Sequence, residues 1–108
     1  MSMETAEFSI SDYAELEALY GFLRETAPDA DVKRVAGRPG PGQQGFLDWL
    51  AVLGSSQVIV AVITTLPKFL KTRKPGLSVN VKIKNTSVAV SGANIDEVMR
   101  ILGSVLND

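Results

Sequence analysis

The stretch WLAVLGSSQVIVAVITTLP, residues Trp49–Pro67, decides the fold because it runs for nineteen residues without a charge. A basic cluster, KFLKTRK at residues 68–74, follows it directly. Within the stretch, the β-branched run at residues 58–66 has the local propensity of a strand. A charge-free run of this kind is also typical of a helix that is buried on all sides. Both interpretations stay open, and we favour the buried helix.

A membrane-spanning helix is a third interpretation, because a span needs about twenty apolar residues. The basic cluster beside the stretch would also satisfy the positive-inside rule. However, the polar segment Gly-Ser-Ser-Gln at residues 54–57 interrupts the run, and both flanks have the pattern of one folded domain. Residues 1–10 contain neither the basic region nor the apolar core of a signal peptide. We therefore expect a cytoplasmic protein with no membrane span.

The elements before this stretch are predicted by short local patterns. Residues 7–11, EFSIS, alternate between apolar and polar side chains, which predicts a strand. Asp12 is the predicted N-cap of a helix, and Glu15 follows at the capping-box spacing. Pro28 is expected to end this helix. Its apolar stripe consists of Leu16, Leu19, Tyr20 and Leu23.

The middle of the chain is predicted to hold a strand, a loop and two helical segments. Residues 32–36 form the second short strand, and the glycine- and proline-rich residues 37–45 form a loop. Residues 46–53, FLDWLAVL, are predicted to be helical, with a kink or short turn at residues 54–56. Pro67 then allows a fresh turn of helix through the basic cluster.

The last part of the chain predicts a β-hairpin and a helix. Residues 77–84 alternate clearly, Asn85-Thr86 is the expected tight turn, and Val88 and Val90 lie on the returning strand. A final helix opens at Ala93 or Asn94. The predicted order is β-α-β-(α-α)-β-β-α, which indicates a single α+β domain over residues 1–108.

Composition excludes most catalytic chemistry. The chain has no cysteine and no histidine, so it has no disulfide, no thiolate or imidazole metal ligand and no histidine-dependent triad. Ser55 and Ser56 have no neighbouring base, and Asp12, Glu15 and Glu17 are expected on a solvated helix face. We therefore expect no enzymatic activity, no metal and no cofactor.

Residues 40–45, GPGQQG, match the G-x-G-x-x-G pattern of dinucleotide-binding loops. That function also needs an acidic residue about twenty positions later to bind the ribose. The corresponding region, VIVAVITTLP, contains no acid, and Pro41 removes one N–H donor from the loop. We interpret this segment as a plain connector.

The cations of the basic cluster, Lys68, Lys71, Arg73 and Lys74, have two interpretations. They could contact the phosphates of a nucleic acid or an anionic membrane. They could instead stabilise a helix C-terminus, where cations face the negative end of the dipole. The net charge of −1 and the small number of cations favour the helix end. We therefore predict no nucleic-acid binding.

A resemblance covers most of the chain. The basic helix end LPKFLKTRK is followed by the strands LSVNVKIKN and TSVAVSG and the helix IDEVMRILGSVL. This layout resembles the effector-associated constant components of actinobacteria, which share a Leu-Pro-x-aromatic-Leu-basic pattern. Here the pattern is supplied by Leu66, Pro67, Phe69, Leu70, Lys71 and Arg73. Phe69 stands where tryptophan is common in that family.

The resemblance implies a small non-enzymatic adaptor. Such proteins are thought to be encoded beside effectors, such as caspase-like or trypsin-like peptidases, in bacterial conflict and defence systems. No catalytic residue is carried over. The expected function is therefore to recruit or regulate an effector. The alternative is a peripheral membrane or nucleic-acid binding module acting through residues 68–74.

The apolar side chains of residues 46–70 exceed what a domain of this size is expected to bury. We therefore predict a homo-oligomer, with leftover apolar surface forming the contact. The predicted partner-binding residues are Trp49, Ile63, Lys68, Phe69, Lys71, Arg73 and Lys74.

Overall fold

The structure, a computed structural model, describes residues 3–10, 12–35, 48–73 and 75–106. Its elements are β1 Glu4–Ser9, α1 Tyr13–Thr26, β2 Asp31–Val35, β3 Trp49–Gly54, α2 Ser56–Lys71, β4 Val79–Ile83, β5 Thr86–Val90 and α3 Ile95–Leu106. The five strands form one antiparallel sheet in the order β2-β3-β1-β4-β5. The α+β class and the C-terminal hairpin and helix are thereby confirmed.

The predicted helix at residues 46–53 is wrong, because Trp49–Gly54 forms the strand β3. β3 lies between β2 and β1 and pairs with both. Its Leu50 and Val52 side chains are fully buried, and those of Trp49 and Leu53 are half-buried. A central strand without charged residues gives a continuous apolar run, which periodicity cannot distinguish from a buried helix.

Residues 58–66 belong to the helix α2, as favoured. The Ser55 side chain caps it by accepting a hydrogen bond from the Val58 N–H at 3.3 Å. Residues 54–56 are therefore the end of a strand and the start of a helix, not a kink. Pro67 lies inside this continuous helix. Its buried residues recur at helical spacing: Ile59, Val62, Ile63, Leu66, Phe69 and Leu70.

The expectation that this helix is buried on all sides is wrong. Ala61, Thr64 and Lys68 are exposed on its outer side. The helix is therefore amphipathic although residues 56–67 carry no charge, because Ala61 and Thr64 stand where a solvated face usually has charged residues. This explains how a charge-free run lies at the surface of the domain.

The three helices cover one face of the sheet. A single hydrophobic core contains inward side chains of four strands, such as Phe8, Leu50, Val81 and Val90, together with residues of α1, α2 and α3. The helices pack side by side, with α2 between α1 and α3. All the elements thus share one core, in which the sheet is one layer and the helices are the other.

The predicted N-cap at Asp12 is confirmed, and the hairpin turn lies one residue from its predicted position. The Asp12 carboxylate accepts from the Ala14 N–H at 3.0 Å and the Glu15 N–H at 3.4 Å. The hairpin turn comprises Lys84 and Asn85, one residue earlier than predicted, because Ile83 lies opposite the first residue of β5. The predicted loop at residues 37–45 lies outside the described residues.

Candidate interaction surface

The side of the sheet opposite the helices is not covered by any described element. Side chains of alternate strand residues project there, and we call this surface the open sheet face. It is formed by Thr5, Glu7, Ser9, Asp31, Lys33, Val35, Trp49, Ala51, Leu53, Asn80, Lys82, Ser87 and Ala89. None of these side chains belongs to the continuous hydrophobic core on the helix side, although Ala51 is itself buried at 8% exposure.

Trp49 is the largest apolar group on the open sheet face. It is half-buried and lies opposite Val35 of β2. Together with Leu53 on the same strand, these side chains form an apolar stripe over β2 and β3. A shallow cavity of about 270 Å³ lies beside Trp49, and its other lining residues are Glu7, Ser9, Asn80 and Lys82.

Charges of both signs flank the apolar stripe. Ala51 lies opposite Lys33 on one side and Glu7 on the other, and Glu7 lies in turn opposite Lys82. The order across the sheet is therefore cation, alanine, anion, cation. Tryptophan surrounded by a polar rim is the composition found at the centres of protein–protein interfaces.

Two of the predicted partner-binding residues are buried within the domain. Ile63 is 0% exposed and Phe69 is 4% exposed. Phe69 packs its ring against Phe22 of α1, with the ring centroids 5.3 Å apart. Neither side chain reaches the surface of the described structure, so both stabilise the interface between helices and sheet.

Not all cations of the basic cluster are available at the surface that the structure describes. Lys68 and Lys71 are exposed, and Lys74 lies outside the described residues. Arg73 donates two hydrogen bonds to the Glu15 carboxylate, from Nε at 2.5 Å and from Nη2 at 2.9 Å. Its guanidinium carbon also lies 5.6 Å from the Phe69 ring centroid. The hydrogen bond with Glu15 raises the pKa of Arg73. Arg73 therefore joins α2 to α1 rather than presenting a free cation.

The sequence missed most of the open sheet face. Alternation did place Asn80 and Lys82 on the exposed side of β4. The missed members include Glu7, Lys33 and Leu53, because assigning a helix to residues 46–53 removed the strand that lies between β1 and β2. No alternation in the sequence marks this strand, because Trp49, Ala51 and Leu53 are as apolar as Leu50 and Val52.

The described residues contain no group of three or more acidic or other ligating side chains arranged to hold a metal ion. The described helices also include none with the length and hydropathy needed to cross a bilayer. Glu15 is the buried charged side chain of the described core, and its charge is paired with Arg73.

The surplus of apolar side chains expected from the sequence is largely absorbed by the sheet and α2. Among the described residues, the exposed large hydrophobic side chains are Met3 at 64% and Ile101 at 38%. They do not form the extensive leftover surface on which the predicted homo-oligomer was based. Self-association stays a prediction.

Comparisons with known proteins give one positive result. Neither the curated proteins nor the solved structures include a match to the chain. Residues 10–106 match the sequence model of a family described as Effector Associated Constant Component 1. The match spans the three helices and four of the five strands, and β1 precedes it. Because it covers far more than half of the chain, this protein belongs to the Effector Associated Constant Component 1 family.

Proposed function

We propose that this protein is a non-enzymatic adaptor that recruits or regulates an effector through its open sheet face. The effector is a protein encoded nearby, such as a caspase-like or trypsin-like peptidase, in a bacterial conflict or defence system. The adaptor acts in the cytoplasm and needs no cofactor. The family description supports the association with an effector.

The observation that carries the choice of surface is the position of Trp49. Its indole lies on the side of the sheet that no described helix covers, and its cross-strand neighbour there is Val35. A tryptophan in the core of the domain would only stabilise the fold, whereas one on an uncovered face can enter a pocket on a partner. Tryptophans that become buried in an interface with a partner are among the residues that contribute most to binding free energy.

The test is a titration of purified proteins. Each peptidase-like protein encoded beside this gene is titrated into the full-length chain by isothermal titration calorimetry. We expect one of them to bind. Trp49→Ala is expected to weaken that binding by about thirtyfold or more, because losing an aromatic anchor costs about 2 kcal/mol or more.

The matched control is Thr64→Ala, which removes a side chain from the exposed side of α2. It is expected to leave the affinity unchanged, and circular dichroism should show that both variants keep the parent fold. Unchanged binding by folded Trp49→Ala would place the site elsewhere. Absence of binding by every adjacent peptidase would contradict the adaptor function.

The alternative function is binding to a membrane surface or a nucleic acid through residues 68–74. The exposed Lys68 and Lys71 favour it, and Lys71 also lines a groove of about 400 Å³ at the end of α2. It is less well supported, because Arg73 is already paired with Glu15. Lys71 also lies in the last turn of α2, where a cation stabilises the helix by itself.

The alternative is tested by fluorescence anisotropy with DNA and RNA oligonucleotides and by sedimentation with anionic vesicles. We expect no binding at physiological salt. Micromolar binding that falls steeply with salt, and that is lost when Lys68, Lys71, Arg73 and Lys74 become glutamine, would establish the alternative.

A further inference from the structure

Strand β5 is an outer strand of the described sheet, with only β4 beside it. Its sequence, TSVAV, contains neither a charge nor a proline. Edge strands commonly use both to prevent pairing with another chain. The opposite edge strand, β2, carries charges at Asp31, Lys33 and Arg34. The two edges therefore differ, and β5 is the one that a further strand can join.

The register of the hairpin shows which backbone groups of β5 face outward. Ile83 and Thr86 close a two-residue loop, so they form a hydrogen-bonded pair. Such pairs alternate along antiparallel strands. Val88 therefore bonds to β4, whereas the backbone N–H and C=O groups of Ser87 and Ala89 point away from it.

The side chain of Asn94 occupies one end of this edge. Its Nδ2 donates to the Ala89 carbonyl at 2.9 Å, and its Oδ1 accepts from the Ser91 N–H at 2.8 Å. One side-chain amide thus bonds two backbone groups that an added strand would otherwise bond. This contact agrees with the register, and it closes the edge at the end of β5 that lies next to α3.

We propose that the open part of this edge pairs with β5 of a second copy of the chain, antiparallel, about a two-fold axis at Ser87. The Ser87 N–H of each copy then donates to the Ser87 carbonyl of the other. In this register Ala89 lies opposite Asn85 of the second copy, where that chain turns back into β4. The added strand therefore ends where Asn94 blocks the edge, whereas a longer extended peptide would collide with Asn94.

Charge does not oppose this pairing. Lys84, beside the pairing strand, donates its Nζ to the Val105 carbonyl of α3 at 3.3 Å. Lys82 lies one strand further in, so the Lys82 side chains of two copies are separated by three strand spacings, about 14 Å. That distance exceeds the Debye length of about 8 Å at physiological ionic strength.

The pairing also has a geometric consequence for the open sheet face. A two-fold axis between antiparallel strands runs perpendicular to the sheet. Both open sheet faces therefore lie on the same side of one continuous sheet, each with its own Trp49. The contact is short and smaller than a standard protein interface, so we expect a weak dimer that forms at high protein concentration.

Sedimentation equilibrium of the full chain from about 10 μM to 1 mM tests the proposal. The apparent mass is expected to rise from one chain toward two over this range, and Ser87 amide exchange should slow with it. Ser87→Pro is expected to abolish the dimer, because it removes the outward N–H without removing a bond to β4. Ser87→Ala, which keeps the backbone, is the matched control and should dimerise.

A second variant keeps the test decisive if Ser87→Pro does not fold. Ser87→Lys places like charges opposite each other across the two-fold axis and should also give a monomer. A wild-type monomer at 1 mM, or a dimer that persists in a folded Ser87→Pro or Ser87→Lys variant, would overturn the proposal. Trp49→Ala should leave the dimer intact. Failure of dimerisation can therefore be distinguished from failure of effector binding.

Discussion

The two faces of the sheet are built from the same strands but have opposite roles. On the helix side, inward residues such as Leu50 and Val81 are completely buried under α1, α2 and α3. On the open side, neighbours in the same strands, such as Leu53 and Lys82, remain partly or fully exposed. Successive side chains of a strand point to opposite faces of the sheet. Neighbouring residues of one strand therefore serve different roles, one stabilising the core and the next being available to a partner.

The largest effect is expected where a charge enters the helix side. Ile63→Lys buries an ammonium group at a site with no exposure, in the middle of the core. We expect this variant to be unfolded, because an unpaired buried charge costs several kcal/mol, a large part of the stability of a small domain. The circular dichroism spectrum and thermal melt provide the measurement.

Thr64→Lys is the control for that variant. It places the same group one residue later on the exposed side of α2. It should melt close to the parent. A cooperative melt of Ile63→Lys near the parent temperature would show that this side of α2 is not the core.

A smaller effect separates two leucines of one strand. Leu50→Ala on the helix side should lower the free energy of unfolding by about 2–5 kcal/mol, because it leaves a cavity under α2. Leu53→Ala on the open side should cost at most about 1 kcal/mol, since its side chain is already partly solvated. Urea denaturation of both variants checks the difference, and equal losses would mean that both faces are covered.

The smallest effect compares two glutamates. Glu15→Ala breaks the bidentate bond to Arg73 between α1 and α2 and should lower stability by more than a typical surface substitution does. Glu7→Ala on the open sheet face should stay within about 0.5 kcal/mol of the parent. If urea denaturation gives the reverse order, the flanking charges of the open sheet face are structural rather than available to a partner.

The sequence predicts well those elements that have one solvated face. Alternation over residues 77–84 identifies β4, and the cap at Asp12 followed by a leucine stripe identifies α1. These patterns survive because each has one solvated face, which makes the period visible. The charge-free stretch has no such contrast. The first half of the stretch forms β3, an interior strand lined by apolar side chains. The second half belongs to α2, which has alanine and threonine on its outer side.

The candidate site is harder to predict than the fold, for a related reason. The open sheet face combines residues of all five strands, Ser9, Lys33, Trp49 and Lys82 among them, which are distant in sequence. Only Trp49 is conspicuous by itself. Ile63 and Phe69 are equally apolar, and only the direction in which the helix face points shows that they belong to the core.

The central position of β1 has a consequence for how the chain acquires its structure. β1 precedes the other strands in the chain, yet it joins β3 on one side to β4 on the other. Without it, the β2–β3 pair and the β4–β5 hairpin would be two separate ribbons with no shared ladder. The sheet therefore cannot close until β4 has been synthesised, and its defining contacts are distant in sequence. Folding rates fall as the sequence separation of native contacts grows, so we expect this domain to fold in milliseconds to seconds rather than microseconds.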